Sequence, residues 1–145
     1  MDRRRSRPKR SSKGSRRINA ASVSRVLLAL LFVAAGVNHF RSPLTYLQMM
    51  PAFLPWHQLL VQVSGAVEIL GGLGLLFART RLATGLTLIA LLIAVFPANI
   101  HAAVHGMIVS GRPVPSWLLW ARLPFQAALI WWVYIASWKG REAPR

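Results

Sequence analysis

The sequence predicts an all-α fold: a transmembrane four-helix bundle carrying a disordered basic N-terminal arm. Three observations lead there. The 145 residues hold 18 Lys and Arg against 3 acidic residues, a net charge of +15, yet only 14% are charged and 54% are hydrophobic. Ten of the basic residues crowd into the first 25, so the charge is local and the remainder is nearly bare. The remainder falls into four apolar blocks, each near the ~20 residues that a helix needs to cross a bilayer core. A collagen, a disulfide scaffold and a wholly disordered chain are excluded by the same figures. With no cysteine in these 145 residues, thiol chemistry, thiolate metal sites and iron–sulfur clusters are excluded as well.

The arm spans residues 1–22. Arg, Lys, Ser and Pro dominate it and no apolar periodicity appears, so it cannot bury enough surface to order itself. A nucleic-acid arm is the sharp alternative. The membrane blocks that follow favour an anchor for anionic lipid at the cytoplasmic surface.

The membrane domain spans residues 23–138, with spans at about 23–40, 58–78, 82–103 and 116–137. Lipid forces every backbone group to pair within its own segment, so four such blocks read as four helices. A cleaved signal peptide is set aside because block one runs on to Asn38-His39-Phe40 with no small-residue cleavage site. Charge fixes the orientation. With four spans, fifteen of the eighteen basic residues share one side, including Arg79, Arg81 and the tail 139–145. Arg41 and Arg112 fall on the other, and Arg122 lies within span four. Both termini are therefore expected to be cytoplasmic, with the chain multi-pass in the cell membrane. The outer segment 41–57, with three prolines, Tyr46 and Trp56, reads as an interfacial or re-entrant cap. Segment 104–115 carries Gly and Pro turn signals. The tryptophans and Tyr134 of span four read as an aromatic belt that only anchors.

Ionisable residues inside spans are functional candidates by default. Glu68, the one acid in the interior, falls near the midplane on a stripe with Ser64, Gly65, Gly71, Gly72 and Leu75. Small residues admit a neighbouring helix, so Glu68 is expected to face protein. Arg122 lies about 9 Å into span four, with Gln126 one turn deeper. A guanidinium stays charged, and Glu68 is the expected partner. Such a pair either fixes helix register or handles a proton or anion in a cavity; the remaining reading is an unpaired Arg122 that snorkels outward. Asn99 follows Pro97, which frees the Ile93 carbonyl, and Pro124 interrupts span four at a similar depth; the two together point to a pocket. His39 closes span one, His57 opens span two, and His101 and His105 share a helix face; all four are expected on the outer side. A metal or haem site on His39, His101 and His105 is outweighed by interfacial hydrogen bonding, and no metal is assigned. No phosphate-cradling loop, nucleophile elbow or dinucleotide fingerprint occurs.

Ala35-Gly36-Val37-Asn38-His39-Phe40, Ser64-Gly65-xx-Glu68-xx-Gly71-Gly72, Val95-Phe96-Pro97-Ala98-Asn99-Ile100 and Arg122-Leu123-Pro124-Phe125-Gln126, in that order and spacing, resemble the DoxX-like family of small membrane proteins. The resemblance covers residues 25–138; the long basic arm departs from it. It implies a four-helix membrane bundle serving as the membrane subunit of a redox complex, with quinone as the implied ligand and a soluble redox protein as the implied partner. The matching polar positions are His39, Glu68, Asn99, Arg122 and Gln126, with Glu68 as the candidate proton relay. The rival expectations are an oligomeric small-solute transporter or channel and a structural anchor for a soluble partner.

Overall fold

The computed structural model describes residues 20–138, and these are mostly helical. Residues 1–19 of the expected arm and the tail 139–145 lie outside the described residues. The last three residues assigned to the arm, Ala20–Ser22, belong to the first helix.

Helix α1 runs Ala20–Arg41 and stops where Pro43 restricts the backbone of Ser42. Pro43 then opens a one-turn helix, α2 (Pro43–Leu47), with its missing N–H at a position that needs none. Turns carry the chain through Trp56, whose left-handed backbone (φ 53°) starts α3 (His57–Gly74). The short return to α4 (Arg81–His105) is closed by side chains. Thr80 donates to the Gly74 carbonyl at 2.8 Å and Arg81 Nε to the Leu75 carbonyl at 3.3 Å, occupying acceptors that the end of α3 leaves over.

Residues 104–115, read from sequence as turns alone, contain a small hairpin. Strands β1 (Ile108–Val109) and β2 (Arg112–Pro113) pair antiparallel across Ser110-Gly111. Both turn residues have positive φ (52° and 76°), as a two-residue hairpin of this hand requires. Helix α5 (Ser116–Trp138) completes the chain.

The four long helices pack in a ring: α1 on α3, α3 on α4, α4 on α5, and α5 back on α1. Helices α3 and α5 are thus diagonal. The α1–α3 seam is the tightest. A Cβ at Gly65 would lie 2.7 Å from His39 Cβ and 2.9 Å from the Gly36 carbonyl oxygen, so the backbones meet only because both residues are glycine. Two apolar clusters follow along the axis. One joins Leu28, Phe32, Leu75, Leu88, Leu92, Leu129 and Val133. The other, under α2 and the hairpin, joins Met49, Ala102, Ala103, Met107 and Leu119.

The outside is apolar too. Leu30, Leu70, Ile93 and Trp131 are each more than half exposed, an inversion that suits hydrocarbon and not water. Helices α1, α4 and α5 are long and apolar enough to cross a membrane. In α3 the polar residues His57, Gln58, Gln62 and Glu68 dilute the apolar run. The tryptophans of α5 are not all anchors. Trp132 is half-buried and donates its indole N–H to Ser24 Oγ at 2.7 Å, tying α5 to α1, because an indole buried in protein needs an acceptor.

Candidate functional site

Between the two apolar clusters lies a cavity of about 280 Å³. Every helix contributes to its wall. His39 comes from α1, Tyr46 from α2 and Glu68 from α3. Asn99 comes from α4, and Arg122 and Gln126 from α5. The five polar positions singled out in the sequence therefore line one space, together with Tyr46, Met49, Val61, Leu92, Phe125 and Leu129.

Their pairing differs from the sequence expectation. Glu68 meets His39, with Oε2 3.5 Å from Nε2, and no ion pair joins Glu68 to Arg122 among the described residues. The reason is the packing order. Glycines 36 and 65 press α1 onto α3 and bring His39 against Glu68, whereas Arg122 projects from the diagonal helix.

The His39–Glu68 contact bears on where a proton can sit. His39 Nδ1 lies 2.9 Å from the Val61 carbonyl, which can only accept, so Nδ1 carries a hydrogen. Neutral His39 would then turn a bare Nε2 towards Glu68. Two lone-pair acceptors facing each other repel, and a proton on either the imidazole or the carboxyl group would make the contact attractive. With that proton the pair is neutral overall. Glu68 Oε2 is buried and has no hydrogen-bond donor among the described residues. Its side chain is 14% exposed, so water does little to solvate it.

Tyr46 stacks on His39 with ring centroids 3.7 Å apart. Its hydroxyl accepts from Asn38 Nδ2 at 2.9 Å and keeps its own proton to donate. Burial pushes the Tyr46 phenol above its ordinary pKa, with the Asn38 bond opposing. The phenol is therefore a neutral donor at physiological pH.

Asn99 Nδ2 donates to Gln126 Oε1 at 2.9 Å, and Gln126 Nε2 donates to the Leu92 carbonyl. Gln126 thus ties α5 to the α4 backbone one residue before Ile93, whose carbonyl Pro97 frees, and Asn99 is bonded to Gln126. Arg122 Nη1 lies 3.5 Å from Met107 Sδ and 3.7 Å from Met49 Sδ. A thioether is a weak acceptor and carries no charge. No acid lies within 4.0 Å of Arg122 among the described residues.

A family comparison covers this whole arrangement. One family model, described as a domain of unknown function (DUF8561), matches residues 28–137. The chain belongs to the DUF8561 family. No curated protein and no solved structure matches it. The DUF8561 segment includes every residue that lines the cavity and leaves out the first turns of α1.

Other residues of the DUF8561 segment fall away from the cavity wall. His101 and His105 stack on each other at 4.1 Å, and His57 Nε2 contacts the Pro51 carbonyl at 3.0 Å. The grouping of His39, His101 and His105 weighed from the sequence is not assembled at the cavity.

Gln48, which no sequence signal marked, holds the cap together. Its Oε1 accepts from the Ile108 amide at 2.9 Å and its Nε2 donates to the Ile108 carbonyl at 3.1 Å. This two-way amide bridge joins the α2 segment to the hairpin above the Tyr46 and Met49 side of the cavity. Tyr46 carried a sequence signal, since it is a lone phenol in the proline-rich cap. Met49 and Met107 carried none.

Proposed function

We propose that this DUF8561 protein is a DoxX-like four-span protein of the cell membrane, with both termini cytoplasmic and the cap on the outer face. It acts as the membrane subunit of a redox complex and receives a quinone head group in its cavity. The observation that carries the reading is the convergence of the His39–Glu68 contact, a phenol donor and a guanidinium on one space among apolar helices.

The residues present fit such a group. The cavity is at the lower end of the ~300–1,000 Å³ that small organic ligands occupy, enough for a head group without its tail. Phe125, Leu92 and Leu129 offer apolar surface to a ring. Tyr46 can donate to one carbonyl oxygen, and the unused Asn99 Oδ1 can accept from a hydroxyl. A bound quinone would supply a two-electron acceptor. The chain supplies position and protons: the His39–Glu68 pair holds a proton ready to leave towards the cavity, and loss of such a general acid costs about 10²–10⁴-fold in rate.

The test is purification of the full chain in mild detergent, with extraction of co-purifying small molecules. Quinone should accompany the native protein, and Glu68→Gln should cut quinone-linked turnover of membranes at least a hundredfold while assembly persists. A preparation without quinone, together with unchanged turnover in Glu68→Gln, retires the reading.

A further inference from the structure

Resting on that reading, we propose that the cavity selects an occupant bearing one ionised oxygen, seated on the Arg122 guanidinium. The ligand class is a planar carbonyl-bearing ring with an ionised hydroxyl or carboxylate substituent, distinct from a neutral ring.

The argument is a charge account of the wall. Glu68 is the one acidic residue among residues 20–138. It is taken up by His39, and the pair is neutral when it holds one proton beyond the hydrogen on Nδ1, on either the imidazole or the carboxyl group. Tyr46 is a phenol; Asn99 and Gln126 are amides bonded to each other. Arg122 remains. Its partners among the described residues are two thioethers, which accept weakly and neutralise nothing. The wall therefore carries one net positive charge, half-buried, beside apolar side chains in a region where water screens poorly.

A guanidinium in such a place is completed by an anionic oxygen, which accepts two parallel N–H bonds in a fork. Met49 and Met107 both meet Nη1, and so leave the other donors of the fork for an occupant. A neutral carbonyl would take one of these bonds and leave the charge unmatched. The cation also divides the cavity by function. Its α5 side holds an oxygen that is already ionised, and the His39–Glu68 side meets an oxygen that gains a proton. A ring with both kinds of oxygen satisfies the whole wall.

A matched pair of probes decides it. The full chain is placed in nanodiscs of zwitterionic phosphatidylcholine. Binding of 2-hydroxy-1,4-naphthoquinone, a vinylogous acid that is ionised at neutral pH, and of its neutral methyl ether is measured by calorimetry. The ionised form should bind at least tenfold tighter. Arg122→Gln should abolish the preference, and Arg122→Lys, which keeps the charge, should retain most of it. Thermal unfolding of each variant verifies its fold, and Arg122→Lys keeps the comparison valid should Arg122→Gln fail to assemble. Equal affinity of the two rings overturns the inference and leaves the quinone reading standing. Absence of binding by both rings, with benzoate raising the unfolding temperature of the native protein but not of Arg122→Gln, does the reverse. A preference that survives in Arg122→Gln overturns the inference. So does one that vanishes when phosphatidylglycerol replaces phosphatidylcholine, since Arg122 would then belong to a lipid phosphate.

Discussion

Replacing Gly65 by Ala should destabilise the bundle by about 2 kcal/mol. The new Cβ would fall 2.7 Å from His39 Cβ, 2.9 Å from the Gly36 carbonyl oxygen and 3.0 Å from Phe40 Cε2. Carbon atoms rest about 3.5–4.0 Å apart, so the deficit against His39 is roughly 1 Å. A side chain could rotate away, but the Gly36 oxygen is backbone inside α1 and moves only with the helix. The α1–α3 seam must therefore open. Overpacking of this kind costs about 1–3 kcal/mol, and the middle of that range is near a 30-fold fall in the folded ratio. The assay is equilibrium unfolding in mixed micelles, followed by tryptophan fluorescence. Leu70→Ala on the same helix, where the side chain is 68% exposed, serves as the control and should stay within about 0.5 kcal/mol of the native chain. Gly36→Ala should cost a similar amount, and the double variant less than the sum, because the first substitution has already parted the helices. A Gly65→Ala protein that unfolds with the native chain would refute the close approach and, with it, the reason His39 reaches Glu68.

The remaining expectations concern the cap. Gln48→Leu removes both bonds to Ile108, each worth about 0.5–1.5 kcal/mol net, so amide exchange at Ile108 should quicken about tenfold; unchanged exchange would show that the bridge does not hold the cap. In a Tyr134→Phe background, the Tyr46 phenolate should form only above the ordinary tyrosine value of about 10. Because burial raises the folded pKa, the neutral phenol's contribution to stability is complete below that value and is lost as pH rises through the folded one. Phenolate absorbance at or below the ordinary value would contradict a buried phenol.

The helices and the polar wall were legible for the same reason. Hydrocarbon tolerates few polar groups, so each one inside an apolar run marks protein or cavity. Glu68, Asn99, Arg122 and Gln126 stood out against Leu, Val and Ala, and all of them line the cavity. Sequence could not say who pairs with whom. Glu68 and Arg122 are the natural couple by charge, but pairing depends on which helices are adjacent, and the ring order makes α3 and α5 diagonal. Glycine held the missing information. Gly36 and Gly65 are the mark of the closest seam, and His39 lies three residues after one and Glu68 three residues after the other. The hairpin was hidden differently. Its signal is only Ser110-Gly111 between two-residue strands, too short for alternation to register.

The seam and the diagonal together explain why a bundle would keep a carboxyl group and a guanidinium in one cavity without joining them. Had they paired directly, each would have consumed the other, leaving a register lock with no capacity for a ligand. Glycine contact instead commits Glu68 to a histidine, a partner that shares a proton and does not cancel a fixed charge. Arg122, held across the cavity by two sulfur atoms, keeps its charge available. The separation costs stability, since a half-buried cation lacks a counter-ion among the described residues, and that deficit is what an occupant can offset. On this argument, moving the acid beside Arg122 by Glu68→Gln with Met107→Glu, which sets a carboxylate where a thioether now meets Nη1, would raise the unfolding temperature and abolish binding of the anionic ring together. A gain in stability with binding retained would break the link between them.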